Sequence, residues 1–190
     1  MLDEYWTRNF GDTLPVAHIL REECKPRWFR IHSLPDSKRY PEDDGERKIL
    51  LERFNAIVAE FADEGSQLEL LTTNWSISPF PENLDAEFMQ LEIKAEAWRS
   101  VAMHELEGDP EPYYWQIFRS SLSWHRSVLD RVIRLVADDR LANVMVLDAS
   151  SNWFLHPYDG GLDIICDSSQ TRDKLASKYQ DWRSSRSDGG

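Results

Sequence analysis

The sequence predicts an α+β fold, with a mainly antiparallel sheet flanked by helices and a C-terminal β-meander followed by a helix. Segments with a strand-like pattern come in neighbouring runs separated by tight turns, and helical patterns flank them. Strand-like segments near Val144, Trp153 and Leu162 are separated by spacers too short for a helical crossover. We therefore expect a meander there, within a single globular domain over residues 1–186 that is followed by a flexible tail at 187–190.

In the N-terminal half, the pattern changes between helix and strand at each cluster of prolines or glycines. The predicted elements, in order, are a helix from Asp12 or Thr13 to about Cys24, a strand at 27–34, a loop at 35–45, a helix at 46–64 and a strand at 68–76. The long helix has the clearest basis, because five apolar residues from Leu50 to Phe61 recur at helical spacing. We expect Gly65 to end it.

Residues 84–105 fit both helix and strand, and the alternation of side chains over 97–105 favours an extended segment there. The elements predicted after it are a turn-forming loop at 108–112, a strand at 113–124, a helix at 127–138, a strand at 143–148 and a final helix that begins near Asp167 or Ser168. The strand at 143–148 is almost entirely apolar, which indicates burial on both faces.

The net charge of −12 lies mainly in the middle of the chain, since residues 42–111 contain five Lys or Arg against eighteen Asp or Glu. This balance disfavours a nucleic-acid binder, which needs a basic surface for the phosphates. It suits a basic protein partner, because complementary fields speed association. The alternative is a solvated face that keeps the protein soluble. The candidate partner-binding residues are Glu105, Glu107, Asp109 and Glu111.

The apolar segments argue against a membrane protein. The longest runs, such as residues 143–147, fall far short of the ~20 residues of a transmembrane helix. The N-terminus is acidic and aromatic, without the basic start and apolar middle of a signal peptide. We therefore expect a soluble, cytoplasmic protein with no membrane partner. Cys24 and Cys166 have no metal-binding or redox spacing, and we expect packed free thiols.

No motif for a known chemistry is complete. Residues 104–108, HELEG, resemble the zinc-protease signature His-Glu-x-x-His, but Gly108 stands where the second histidine is required. The glycine-rich loops that bind nucleotide phosphates are absent, and so is the nucleophile elbow of serine hydrolases. We therefore predict no cofactor and no metal site.

The stretch WFLHPYDGGLDII, residues 153–165, allows two interpretations. In a functional one, His156 is a general base or metal ligand, and Asp159 or Asp163 orients it or shares the metal. In a structural one, the stretch is a hairpin: Pro157 stops regular pairing, and Asp159 with the two following glycines supplies the positive-φ positions of a tight turn. The hairpin explains every residue type except His156 and Asp163, which we assign to a polar network or a partner contact.

Three segments, FGDTLPVAHILREE, RWFRIHSLPDSKRYPED and NVMVLDASSNWFLHPYDGGLDII with the later KYQDW, resemble the bacterial family known as domain of unknown function 3885. Its members carry a Tyr-Asp-Asp-Arg-Gly type motif, then a hydrophobic strand and a helix that ends in Trp. The matching positions here are Tyr158, Asp159, Gly161, Asp163 and Trp182. One Asp is missing, and Gly160 replaces the arginine, which argues against a catalytic arginine there. The resemblance covers most of the chain and implies a fold relationship without a particular reaction.

Three functional hypotheses follow. The first is a non-enzymatic binding protein of the immunity type that neutralises a cognate bacterial toxin through its acidic surface. The second is a hydrolytic or metal-assisted enzyme that uses His156, Asp159 and Asp163, with help from His125 or His32; it requires these side chains to converge in a concave pocket. The third is a sensor or scaffold module whose aromatic residues form a small-molecule pocket.

Overall fold

The computed structural model describes residues 2–81 and 84–183. Within these residues, seven strands form one antiparallel sheet, which confirms the predicted α+β class. The strands are β1 (Trp28–His32), β2 (Gln67–Ser76), β3 (Glu96–Ala102), β4 (Tyr114–Ser123), β5 (Met145–Asp148), β6 (Trp153–Tyr158) and β7 (Gly161–Ile165). Their order across the sheet is β1-β7-β6-β5-β2-β4-β3, so β5, β6 and β7 form the predicted meander. The tail expected at 187–190 lies outside the described residues.

Helices cover both faces of the sheet. They are α1 (Leu2–Phe10), α2 (Ala17–Glu23), α3 (Asp44–Val58), α4 (Ala86–Met89), α5 (Met103–Glu107), α6 (Asp130–Ala137) and α7 (Ser169–Lys178). As predicted, α7 follows the meander, and the Ser168 hydroxyl caps it by accepting the Thr171 N–H at 3.1 Å. In the part of the chain that the structure describes, none of these helices has both the length and the apolar character needed to cross a bilayer.

Alternation along the strands divides the apolar side chains into two cores. Leu68 and Leu70 of β2 pack with α3, α6 and α7 on one face, whereas Leu71 packs with α1 and α2 on the other. All four residues of β5 are buried, as predicted for a strand covered on both sides. Each large apolar side chain fully buried in this way stabilises the fold by about 1.5–3 kcal/mol.

The long helix α3 ends earlier than predicted. It stops at Val58 rather than at residue 64, and the chain then turns before it enters β2. Gly65 does not end the helix. Its φ of +90° belongs to the turn before β2, where its N–H donates to the carbonyl oxygen of Trp124 at 2.8 Å. The glycine therefore serves the β2–β4 pairing.

The ambiguous stretch 84–105 contains both kinds of element. Asp85 caps α4, β3 follows, and α5 begins directly after it. The predicted extension is therefore correct to Ala102 and wrong at 103–105. Met103 turns into the core between the sheet and α1, and the chain continues as a short helix that ends at Gly108, whose φ is +70°.

Helix α1 is absent from the sequence predictions. Its apolar residues Leu2, Tyr5 and Trp6 are all buried against the sheet, and Asp3 and Glu4 lie in its first turn. The spacing of three and four residues, together with acids near the N-terminus, is the signal that could have identified it.

Candidate functional site

The β6–β7 hairpin places His156 and Asp163 side by side. A two-residue turn at 159–160 joins the strands, and His156 pairs with Asp163 across them. Pro157 does not stop the pairing, contrary to the prediction, because it lies inside the ladder opposite Leu162. A two-residue turn is closed by a hydrogen-bonded pair, here Tyr158 with Gly161, and hydrogen-bonded and non-hydrogen-bonded pairs alternate along an antiparallel ladder. The next pair, Pro157 with Leu162, is therefore a non-hydrogen-bonded one. Proline fits there because that position needs no N–H directed toward β7.

The hairpin needs glycine at 161 because there is no room for a side chain, and not because the backbone adopts a special conformation. None of residues 159–161 has the positive φ that the sequence predicted. A Cβ on Gly161 would collide with the carbonyl oxygen of Ile31 and with the hydroxyl of Tyr158, and would stand 2.9 Å from Tyr158 Cζ. Glycine is required at 161 because β1 and the Tyr158 ring approach the backbone closely.

Asp163 is the centre of a buried polar network that joins β1 to β7. Its side chain accepts hydrogen bonds from Arg30 Nε at 2.8 Å, from an Arg30 terminal nitrogen at 3.2 Å and from Trp28 Nε1 at 2.9 Å. Only 3% of the residue is exposed. A buried carboxylate needs such partners, since its ionised form would otherwise be strongly destabilised.

His156 faces the same carboxylate without a hydrogen bond to it. Its Nδ1 is buried and lies 3.8 Å from Asp163 Oδ2, while Arg21 approaches that oxygen to 3.8 Å as well. Burial alone would raise the pKa of Asp163, but the His156 ring and the Arg30 guanidinium outweigh it and lower the pKa to about 2. Asp163 is therefore an ionised structural anchor at neutral pH.

Among the described residues, no hydrogen bond or ion pair joins the other residues of the enzyme hypothesis to this pair. Asp159 accepts hydrogen bonds from Arg39 Nε and from the Tyr40 hydroxyl, on the outer side of the turn. His32 ends β1, and burial lowers its pKa. His125 follows β4 at the far end of the sheet. The structure thus brings together His156 and Asp163, places Asp159 on the same cleft as His156, and leaves His32 and His125 elsewhere.

A cleft of about 270 Å³ opens beside His156. His18 of α2, Trp115 of β4 and Tyr158 of β6 line it together with His156 and Asn143. The Asn143 side chain binds the backbone N–H of Ala17 at 3.1 Å and so holds the start of α2 against the sheet.

The acidic segment, which we define as residues 105–111, forms an exposed end of the sheet. Glu105 and Glu107 belong to α5, and Asp109 and Glu111 lie in the loop that follows; all four are exposed. Asp109 accepts the N–H of Glu111 at 2.9 Å, and Glu107 accepts the hydroxyl of Tyr113. That bond raises the pKa of Tyr113 to about 12.

Exposed aromatic residues lie next to the acidic segment. Trp75 is 59% exposed and stacks on Tyr113, with ring centroids 6.4 Å apart. Farther along the chain, Ile77 and Phe80 are 72% and 74% exposed. Ser76 of β2 pairs with the first residue of β4, so all these side chains gather at the end of the sheet that carries α5.

Sequence reasoning missed Trp28, Arg30, His18 and Trp115. A signal existed for Arg30, because it lies on a strand with apolar neighbours, and a buried guanidinium requires an acidic partner such as the unexplained Asp163. No comparable signal marks His18 or Trp115, which meet only through the packing of α2 on the sheet.

Across residues 2–81 and 84–183, no group of three or more His, Cys, Asp or Glu side chains is arranged to hold a metal ion. Cys24 and Cys166 are buried free thiols, as expected.

No curated protein and no solved structure matches this chain. A family model described as Domain of unknown function (DUF3885) does match, over residues 16–187. The match covers most of the chain and includes the hairpin, the cleft and the acidic segment. The chain therefore belongs to the DUF3885 family, as its sequence resemblance implied.

Proposed function

We propose that the protein is a non-enzymatic binding protein of the immunity type, which neutralises a cognate bacterial toxin through the acidic segment. One observation carries the proposal: Glu105, Glu107, Asp109 and Glu111 are exposed, and no Lys or Arg of the described residues pairs with them. Their negative charge is available to a basic partner.

Acidic side chains elsewhere on the surface are often neutralised within the fold. Examples are the pairs Glu46–Lys38, Asp138–Arg47, Glu96–Arg119, Glu60–Lys178 and Asp3–Arg99. Exposed pairs of this kind contribute little to stability, but they cancel the local field. Exposed acids without such a partner also occur elsewhere, as at Asp63 and Glu64, but the acidic segment gathers four of them within seven residues.

The Trp75–Tyr113 stack supplies the apolar contact that a stable interface needs. Protein interfaces commonly combine aromatic anchors with a polar rim, and the anchors carry most of the binding energy. A Lys or Arg of the partner can rest on the exposed face of Trp75 while it pairs with Glu107, which accepts the hydroxyl of Tyr113. The proposal places the protein in the bacterial cytoplasm, where it would protect the producing cell.

The test uses the product of a toxin-like gene beside the gene for this protein. We expect a complex of nanomolar affinity, and we expect the variant Glu107→Lys/Asp109→Lys to associate roughly tenfold more slowly, because the steering field is reversed. Stopped-flow measurement at low salt gives the association rate.

The matched control is Asp63→Lys/Glu64→Lys. These two acids are also exposed and precede β2 at the opposite end of the sheet, so the change in net charge is the same. If both double variants slow association equally, only net charge matters and the acidic segment is not the binding site. If no complex forms with the unaltered protein, the immunity proposal fails.

A further inference from the structure

The cleft beside His156 has the lining of a small-molecule site. Four ring side chains, those of His18, Trp115, His156 and Tyr158, face it, and no residue of the acidic segment lines it. Its volume of about 270 Å³ lies near the lower limit of pockets that take drug-sized ligands, roughly 300 Å³. The flat rings and the small volume suit a small planar molecule.

The cleft offers a hydrogen-bond acceptor at His156. The negative charge of Asp163, 3.8 Å from Nδ1, favours the tautomer with the proton on Nδ1. Nδ1 is buried, so Nε2 is the ring atom that can face the cleft, and it then carries a lone pair. No hydrogen bond of His156 within the described residues occupies that lone pair.

Trp115 and His18 add further uncommitted groups. The indole N–H of Trp115 makes no hydrogen bond to any described residue, and neither does the ring of His18. Partial burial and the charge of Arg21 lower the pKa of His18, so its ring is mainly uncharged at neutral pH. A donor and acceptors therefore belong to residues that line the same cleft.

The charged groups of the cleft favour an uncharged ligand. Asp159, which lines the cleft, is neutralised by Arg39, and Asp163, the neighbour of His156, is neutralised by Arg30. The remaining lining acid, Asp139, is exposed to solvent. Neither an anion nor a cation would find an unpaired buried counter-charge here.

We propose that this cleft binds a small, uncharged, planar heterocycle with a hydrogen-bond donor and an acceptor on its edge, the chemistry that purine and pyrimidine bases share. The ligand stacks against Tyr158, donates to His156 Nε2 and accepts from the Trp115 N–H at its edge. No residue of the acidic segment lines this site, although the charge of Glu107 reaches His18.

The test is an NMR titration of the intact ¹⁵N-labelled protein with adenine and, separately, with uracil. We expect the Trp115 indole signal to shift saturably with at least one base, with a Kd on the order of 1 mM, as for a ligand with few contacts. Binding of adenine alone or uracil alone identifies the preferred ring size. No saturable shift with either base up to about 5 mM, several times that Kd, would overturn the proposal.

Variants distinguish specific binding in the cleft from nonspecific binding at the protein surface. His156→Leu is expected to weaken binding roughly fivefold through the loss of one hydrogen bond, whereas His125→Leu, at the far end of the sheet, has no effect. His18→Ala, at an exposed helix position that folding tolerates, is expected to weaken it as well. Unchanged affinity in both His18→Ala and His156→Leu, or equal binding of non-planar cyclohexanol, contradicts the assignment.

Discussion

Asp163 is the residue at which three strands of the sheet meet. Its carboxylate on β7 binds Arg30 and Trp28 of β1 and faces His156 of β6. The sequence identified His156 and Asp163 because a hairpin left both unexplained. It could not identify their partners, since Arg30 lies 133 residues away along the chain and no local pattern pairs strands at that distance.

The low pKa of Asp163 predicts a specific pH dependence of stability. Because folding lowers this pKa from its ordinary 3.8 to about 2, the ionised group stabilises the fold above pH 4, and this contribution is lost as the pH falls from about 4 to 2. Replacement by Asn removes it. The difference in unfolding free energy between the native protein and Asp163→Asn should therefore shrink by about 2 kcal/mol over that range.

Urea unfolding at several pH values measures this difference. A difference that stays constant between pH 6 and pH 2 contradicts the assignment. If the variant does not fold, the carboxyl ¹³C shift of Asp163 in the native protein decides the matter, because a titration midpoint at or above 3.8 rules out a stabilised carboxylate.

At the scale of elements, periodicity predicted most of the sheet and the helices that pack on it. It placed β1, β2 and β4 to β7, and it placed α3 and α6 by their apolar stripes. The predicted ends of helices and strands were wrong where tertiary contacts determine them. Burial of Met103 ends β3 and starts α5, and α3 stops at Val58 although its apolar spacing continues to Phe61. These outcomes depend on which core surface is near, and a sequence window does not contain that information.

The hairpin shows the same limit, and it yields a prediction with an internal control. Gly161→Ala should destabilise the protein by about 2 kcal/mol, because the added methyl overlaps with the backbone of β1 and the Tyr158 ring. Gly160→Ala should change stability by less than about 0.5 kcal/mol, since its nearest neighbours would be Arg39 Cγ at 3.4 Å and Tyr158 Cε2 at 3.5 Å. Urea denaturation followed by circular dichroism compares them. Equal losses would show that backbone conformation, and not close approach, makes glycine necessary.

For the whole molecule, the distribution of charge follows the architecture. The sequence located the negative charge in residues 42–111, but many of those acids pair with cations brought from other elements, such as Glu96 with Arg119 of β4. Only the fold distinguishes neutralised acids from those of the acidic segment. The same fold brings Trp75, at the end of β2, beside that segment. Trp75 stacks there on Tyr113, although these two residues lie far apart in sequence.

The footprint of the partner on this surface can be measured by hydrogen exchange and mass spectrometry. The protein is compared free and in complex with the product of the neighbouring toxin-like gene. We predict slower exchange on binding in residues 103–114 and 74–80, with α3 and α7 unchanged. Protection confined to α3 and α7, with residues 103–114 exchanging as in the free protein, would contradict the assignment of the acidic segment as the binding surface.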